Sequence, residues 1–418
     1  VAAVGGPELL GTSWTHVGGG AAGTGGAPRL GGVDWSEPLW TRGTDEAGRA
    51  ILFNGPASPV VHAGRVYVPG LSGGQDRLFC VEARTGAALW SAALAPLALD
   101  SWSSPALDVG NGTVLVASGS ELVAIDGASG ARRWTRALGQ RVVNASPAVT
   151  HDRGPRDRAF VTDYSYAGVG NGRLICVNVD PFDAVVNPYA PGQIVWAAAL
   201  PGETSGATPA YDGTRVYVAC TDASGRARVL AFDAGSTAAV PTPVWTCVHA
   251  GPGGAFGGVS VRGGHVYAAT FAFNAGQLNS RLMKIRAVDG ALVWSVASGR
   301  SASIPVPLAD GRVVLSAGVP PDPVFGDFGS RPSVQVFSAS GALLFDTAVA
   351  TWVDADGDGV MDEGEYVRVG GWNTHPVVSA AHAGVPPRVV VGRIGVGGAA
   401  LDPYEGLVEV TLGVGGAS

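Results

Sequence analysis

Seven times along the chain one short pattern returns. A residue, most often hydroxylated, precedes proline; a β-branched run follows; then come Leu-x-x-Val/Ile/Phe, a tight turn at glycine, and tryptophan four residues on. Ser58-Pro59, Leu78-Phe79-Cys80-Val81, Gly86 and Trp90 form the first copy, and Ser104-Pro105, Leu122-Val123-Ala124-Ile125, Gly130 and Trp134 the second. Repeats of this length are supersecondary units that bury their apolar faces only against one another, so the chain is one array rather than a string of domains. Trp-to-Trp spacings of 50, 44, 62, 49 and 49 residues, with 51 more to Phe345, leave room for four short strands in each unit. The long third unit carries an insertion, Asp180 to Pro191.

Each unit reads as strands a, b, c and d. Strand a holds the x-Pro pair: Ser58-Pro59, Ser104-Pro105, Ser146-Pro147, Thr208-Pro209, Ile304-Pro305 and His375-Pro376, with Gly257-Gly258-Val259 in the fifth unit. Proline donates nothing to a ladder, which puts this strand at an edge. Strand b is β-branched, as in Val216-Tyr217-Val218. Strand c is aliphatic on both faces, as in Leu122 to Asp126, so each sheet is sandwiched between neighbours. Gly86, Gly130, Gly192, Gly290 and Gly341 then supply the positive φ of a tight c–d turn, four residues before Trp90, Trp134, Trp196, Trp294 and Phe345. Pro243 stands near that turn ahead of Trp245. Each tryptophan can lie flat on the next blade and bury a large ring there.

The chain ends imply closure. The last unit stops after strand c (Leu407 to Thr411) and the turn glycine Gly413, while Pro38-Leu39-Trp40 is a strand d with nothing before it. The expected fold is therefore all-β: a seven-bladed β-propeller of four-stranded antiparallel blades, with the N-terminal strand completing the last blade and no open edge. Residues 35–418 form the propeller. Residues 1–34, rich in glycine from Gly18 to Gly32, form a strap or tether with no strand–helix context for phosphate binding.

Composition narrows the function classes. No run of about 18 apolar residues exists to span a membrane. The chain starts at Val1 without a basic-then-apolar leader, which reads as a secreted or periplasmic protein whose export signal is already gone. Lys284 is the sole lysine, a sign of GC-biased, bacterial-type coding. Six acidic side chains fall within Asp354–Glu365; without them the formal charge moves from −7 to −1. No basic stripe for nucleic acid remains. Cys80 and Cys176 occupy the same repeat column as Ala124 and Ala231 and read as small core residues. Cys220 and Cys247 fall on non-adjacent strands, too far apart for a disulfide, and the absence of CxxC argues against redox or zinc chemistry.

The segments Val81 to Trp90 and Ala124 to Trp134 resemble the tryptophan-docking motif of the pyrroloquinoline-quinone-like (quinoprotein) propeller repeat. The resemblance covers about residues 35 to 413. It implies the propeller fold and admits two functions. The family includes quinone-dependent alcohol and sugar dehydrogenases, and also non-catalytic scaffolds resembling the outer-membrane-protein assembly lipoprotein. Both groups typically have eight blades, so seven is a departure.

One motif carries sharper chemistry. Between the sixth strand d and the seventh strand a, within a loop insertion at 352–372, Asp354, Asp356, Asp358, Gly359, Val360, Asp362 and Glu365 fit D-x-D-x-D-G-x-x-x-x-x-E. The segment resembles an EF-hand or dockerin calcium loop. Asp354, Asp356 and Asp358 offer carboxylates at positions 1, 3 and 5, and Gly359 permits the bend. Val360 offers its carbonyl, Asp362 acts directly or through water, and Glu365 binds with both oxygens. Both flanks, Ala348 to Val353 and Tyr366 to Gly370, read as extended, so the expectation is a structural Ca²⁺ site and not a helical sensor.

A quinone cofactor is not expected. The adjacent Cys-Cys pair of many such alcohol dehydrogenases is missing, and no Glu, Asn and Asp cluster matches on inner strands. No G-x-S-x-G nucleophile stands in a strand–helix setting. The expected role is non-catalytic: a scaffold binding a protein or cell-envelope partner, as a subunit of a larger assembly, with a PQQ-dependent dehydrogenase as the alternative. Trp102, Tyr164, Tyr166, Trp372 and His375 are the aromatic candidates for a contact surface, although such rings serve blade packing more often. His375 takes the hydroxyl column and is expected to point to the channel.

Overall fold

The computed structural model describes residues 2–3, 16, 21–22, 26–27, 40–53, 57–96, 103–165, 170–272, 278–319, 330–379, 388–394 and 404–411. Pro38, Leu39, Trp102, Tyr166 and Gly413 lie outside them. Units 1 to 6 each form an antiparallel sheet in the order a–b–c–d. In unit 2 these strands are Ala106–Asp108, Thr113–Ser118, Glu121–Asp126 and Arg132–Ala137. Unit 1 gains Ile51–Phe53 and unit 4 gains Gly202–Glu203, each paired to the far end of strand b. In units 1 to 6 the middle of strand c is largely buried, as Leu122, Val123, Ala124 and Ile125 show.

The prolines sit one residue ahead of the inner strands. Pairing starts at Val60, Ala106, Ala148, Ala210, Val306 and Val377, immediately after each proline, where a missing N–H interrupts no ladder. In five units the c–d ladder shifts register one step after the column residue: Cys80, Ala124, Cys176, Lys284 and Val336 face Trp90, Trp134, Trp196, Trp294 and Phe345. Cys, Ala or the flexible Lys leaves space for the indole opposite at four of these positions, while Val336 faces the smaller Phe345 ring. All four cysteines are buried free thiols.

The turn glycines do more than accept a positive φ. A Cβ on Gly86, Gly130, Gly192 or Gly290 would lie 2.4, 2.7, 2.7 or 2.6 Å from the indole of Trp40, Trp90, Trp134 or Trp245. Each ring therefore rests on the bare backbone of the next unit's turn. Trp40, Trp90, Trp245 and Trp294 also donate their indole N–H to a carbonyl of that turn, at 2.9, 3.3, 2.9 and 3.0 Å. Arg65 and Arg215 add a second clasp, each reaching two turn carbonyls of the following unit.

A second belt joins the units at their inner rims. The Ser58 N–H donates to Ser104 Oγ at 2.8 Å, Ser104 N–H to Ser146 Oγ at 2.9 Å, and Ser146 N–H to Thr208 Oγ1 at 3.0 Å. At Gly258 a side chain would strike Ile304 and Thr208, which is why the fifth unit departs from the column. The belt resumes where Ile304 N–H donates to His375 Nδ1 at 3.2 Å.

The seventh repeat contributes Val377–Ser379, Arg388–Ile394 and Tyr404–Thr411 as an antiparallel set. The N-terminal segment that joins it is Gly26–Ala27, parallel to Val378–Ser379 on the inner side. Trp40–Thr41 pairs instead with Ala2–Ala3, and among the described residues no ladder links it to Leu407–Thr411. The bare inner edge, with its free peptide groups, attracts a strand as readily as an outer edge does. Because the meander reverses at every connection, the a–b and c–d turns share one end of the array, the turn face. The b–c and d–a connections share the other, the loop face.

Candidate metal centre

The acidic segment lies on the loop face, between strand d of unit 6 (Leu343–Asp346) and strand a of unit 7. Its entry corrects one expectation. Thr347–Thr351 is a short α-helix, not an extended strand, capped by Asp346, whose carboxylate accepts the Ala348 N–H at 2.9 Å. Alternating Ala and Val read as a strand, but a capping aspartate just ahead of them turns the chain. On the exit side no helix forms.

Asp354, Asp356 and Asp358 are exposed and bring one carboxylate oxygen each within 4.8 Å of the others. The backbone coils to allow it: Gly357 and Gly359 take φ of 79° and 73°. Asp354 accepts from Gly357 N–H at 2.8 Å and from Gly359 N–H at 3.1 Å. Glu365 closes the loop, accepting from Ala355 N–H at 2.7 Å, Asp362 N–H at 3.0 Å and Trp352 Nε1 at 3.1 Å. Those donors hold its carboxyl below the usual range. Asp362 is pushed the other way, by desolvation first and then by Asp358, Asp356 and Glu365. Such a cluster favours any species that brings positive charge, a proton or a cation. Val360 is exposed at the bend. Trp352 and Arg331, which donates to Met361 O at 2.9 Å, anchor the loop; sequence reasoning missed both, and the only signal was an aromatic flanking the motif.

Of the aromatic candidates, Trp372 and His375 are engaged between units, while Trp102 and Tyr166 lie outside the described residues. Trp372 meets Phe271 edge to face at 5.6 Å, and its carbonyl accepts the Ala302 N–H. Tyr164 donates its backbone N–H to Arg141 O at 2.6 Å. His375 spends Nδ1 on the belt, and burial lowers its pKa to about 4, so it is neutral at pH 7.

A Ser–His pair that sequence did not suggest occurs between units 4 and 5: His249 Nε2 lies 2.7 Å from Ser295 Oγ. Its geometry speaks against nucleophile activation. His249 Nδ1 accepts the Gly251 N–H at 3.0 Å, so the neutral ring carries its proton on Nε2 and donates it to the serine. A general base needs the opposite arrangement.

Residues 27–181 match the family model described as outer membrane protein assembly factor BamB, a span reaching strand c of unit 3. A europium-containing methanol dehydrogenase superposes with a TM-score of 0.60 at 12% identity, over 97% of this chain and 87% of its own. BamB from Moraxella catarrhalis gives 0.49 at 17% identity, over 84% of each chain. No curated protein matches the chain. The family match is thus confined to residues 27–181, and at such identity the superposition on the dehydrogenase speaks for an all-β, propeller-like fold alone.

Proposed function

We propose that this chain is a non-catalytic propeller scaffold of the periplasm or cell exterior, which binds a protein or envelope partner and carries a structural calcium ion in its acidic loop. The observation that carries the scaffold reading is the inner rim. Its column of hydroxyls and His375 is consumed in bonds between blades, a use that serves rigidity rather than a reactant. The match of residues 27–181 to an assembly-factor family points the same way. Among the described residues no helix is long and apolar enough to cross a membrane.

The donor set of the loop fits a hard cation. Asp354, Asp356, Asp358, Asp362 and Glu365 offer carboxylate oxygens and Val360 a carbonyl, all oxygen ligands on a backbone already coiled. Ring closure belongs to the same reading, since Trp40 rests on Gly86 as Trp90, Trp134 and Trp245 rest on the glycine of the next unit's turn.

Native mass spectrometry and calcium titration test the proposal together. One calcium per chain and a melting temperature raised by a few degrees are expected, both abolished by Asp354→Ala and Glu365→Ala. Unchanged calcium affinity in those variants removes the site. A co-purifying quinone overturns the scaffold reading in favour of a dehydrogenase.

A further inference from the structure

Among the described residues, those of the N-terminal stretch from His16 to Ala27 contact the array at four places, all on the turn face. Val149 N–H, on the inner strand of unit 3, donates to His16 Nε2 at 2.9 Å. Tyr211 N–H in unit 4 donates to Ala21 O at 2.8 Å, and Val261 N–H in unit 5 to Ala22 O at 2.9 Å. Gly26–Ala27 then pairs with unit 7. Ala21 and Ala22 also pack against the apolar clusters of units 3 to 5. A cavity of about 560 Å³ runs along this segment, lined by Ala21, Ala22, His151, Tyr211, Val261 and Arg262 among others. Inner strands are edges whose outward N–H groups need acceptors, and this segment supplies them one unit at a time.

We infer that the described residues His16, Ala21, Ala22, Gly26 and Ala27 mark a strap docked on the turn-face ends of the inner strands, with His16 as a proton-sensitive catch that releases it in mild acid. The geometry dictates the sensitivity. His16 is buried, and a ring that accepts an N–H through Nε2 must be neutral. Protonation sets two N–H groups against each other. It also places a cation beside His151, whose ring centroid is 5.3 Å away, edge to face. His151 is itself held below its ordinary value, by desolvation first, against the pull of Asp157, Asp108 and Asp152 and with a further push from His62, so neither ring of the pair readily takes a charge where it is docked.

Burial, then His151, lowers the docked His16 from its ordinary 6.5 to about 3. A released His16 regains the ordinary value. Docking is therefore at full strength above pH 6.5 and weakens as pH falls from there toward 3. Between pH 7.5 and 5 the released fraction rises about thirtyfold by this linkage. Acid thus uncovers the strap-lined cavity and the inner-strand edges without unfolding the blades.

Hydrogen exchange of the full chain tests this. Rates at the Val149, Tyr211 and Val261 amides are compared with those of an unfolded peptide at the same pH. Protection at these three should fall about thirtyfold from pH 7.5 to 5, while strand-c amides such as Val123 and Ile175 stay constant. In His16→Gln an uncharged acceptor replaces the ring nitrogen, and the fall should vanish. Constant protection in the wild-type chain overturns the inference whatever the variant does, and so does an equal fall in His16→Gln.

Discussion

The junction between units 3 and 4 differs from the other described junctions, and the difference separates two ways of holding blades together. At the 4–5 junction Trp245 rests on Gly290 and donates to Ala287 O. At 3–4 the turn has no glycine at the seat, and Trp196 is fully buried with an indole N–H that has no partner. Aromatic contacts take over: Trp196 meets Phe160 at 5.8 Å and Phe232 at 6.0 Å, and Phe160 stacks on Tyr211 at 6.3 Å. One junction is a directed clasp, and the other is a greasy layer that leaves a polar group unsatisfied. Burial of ring area is common to both, so area is what a junction requires; the hydrogen bond and the glycine seat add geometry.

The most severe way to break the clasp is at its seat. In Gly290→Ala the new methyl meets the Trp245 ring at 2.6 Å while the backbone stays at φ 75°. Left-handed strain and overpacking together should cost about 2–5 kcal/mol. Gly264, in the same unit at φ 72° with open space around it, provides the control: Gly264→Ala should cost only the strain, about 1–2 kcal/mol. Urea midpoints of the two variants measure the difference, and equal midpoints would mean that the glycines serve the turn alone.

The greasy junction keeps its share of the inner belt, and that share should matter. Thr208→Val preserves shape but deprives the buried Ser146 N–H of its acceptor. A loss of about 1–3 kcal/mol is expected, with faster hydrogen exchange confined to the inner strands of units 3 and 4. A global loss of protection would show instead that the junctions are not separable.

These contrasts explain what could be read from residues alone. Strand order, burial at the middle of strand c and the turn glycines follow from periodicities of two and from φ, both local properties; the strand order appears in units 1 to 6 and the turn glycines in all of these but unit 4. The seat under each ring is not local: Gly130 looks like any turn glycine until Trp90 of the preceding unit lies upon it. The hydroxyl column was visible as a column, but its acceptor role depends on the neighbour's N–H. At the acidic loop the spacing of Asp354, Asp356 and Asp358 foretold their convergence. The helix before it was hidden, because Thr347–Thr351 owes its turn to the Asp346 cap rather than to propensity. Strap docking, too, lay beyond reach, since Ala21 and Ala22 act through backbone carbonyls that no side chain advertises.

The finest test of the comparison removes only the indole N–H. In Trp245→Phe the ring shrinks and the bond to Ala287 O is lost, although that carbonyl keeps the Arg215 donor at 2.6 Å. In Trp196→Phe the ring shrinks equally, but the group removed is a buried donor already without an acceptor. The cavity terms are alike, so their difference isolates the polar contribution: Trp245→Phe should be the more destabilising by about 1 kcal/mol. Paired denaturation curves resolve a gap of that size. If Trp196→Phe proves the costlier, the indole N–H at the 3–4 junction has a partner of its own, such as a buried water, and the two junctions hold by one principle instead of two.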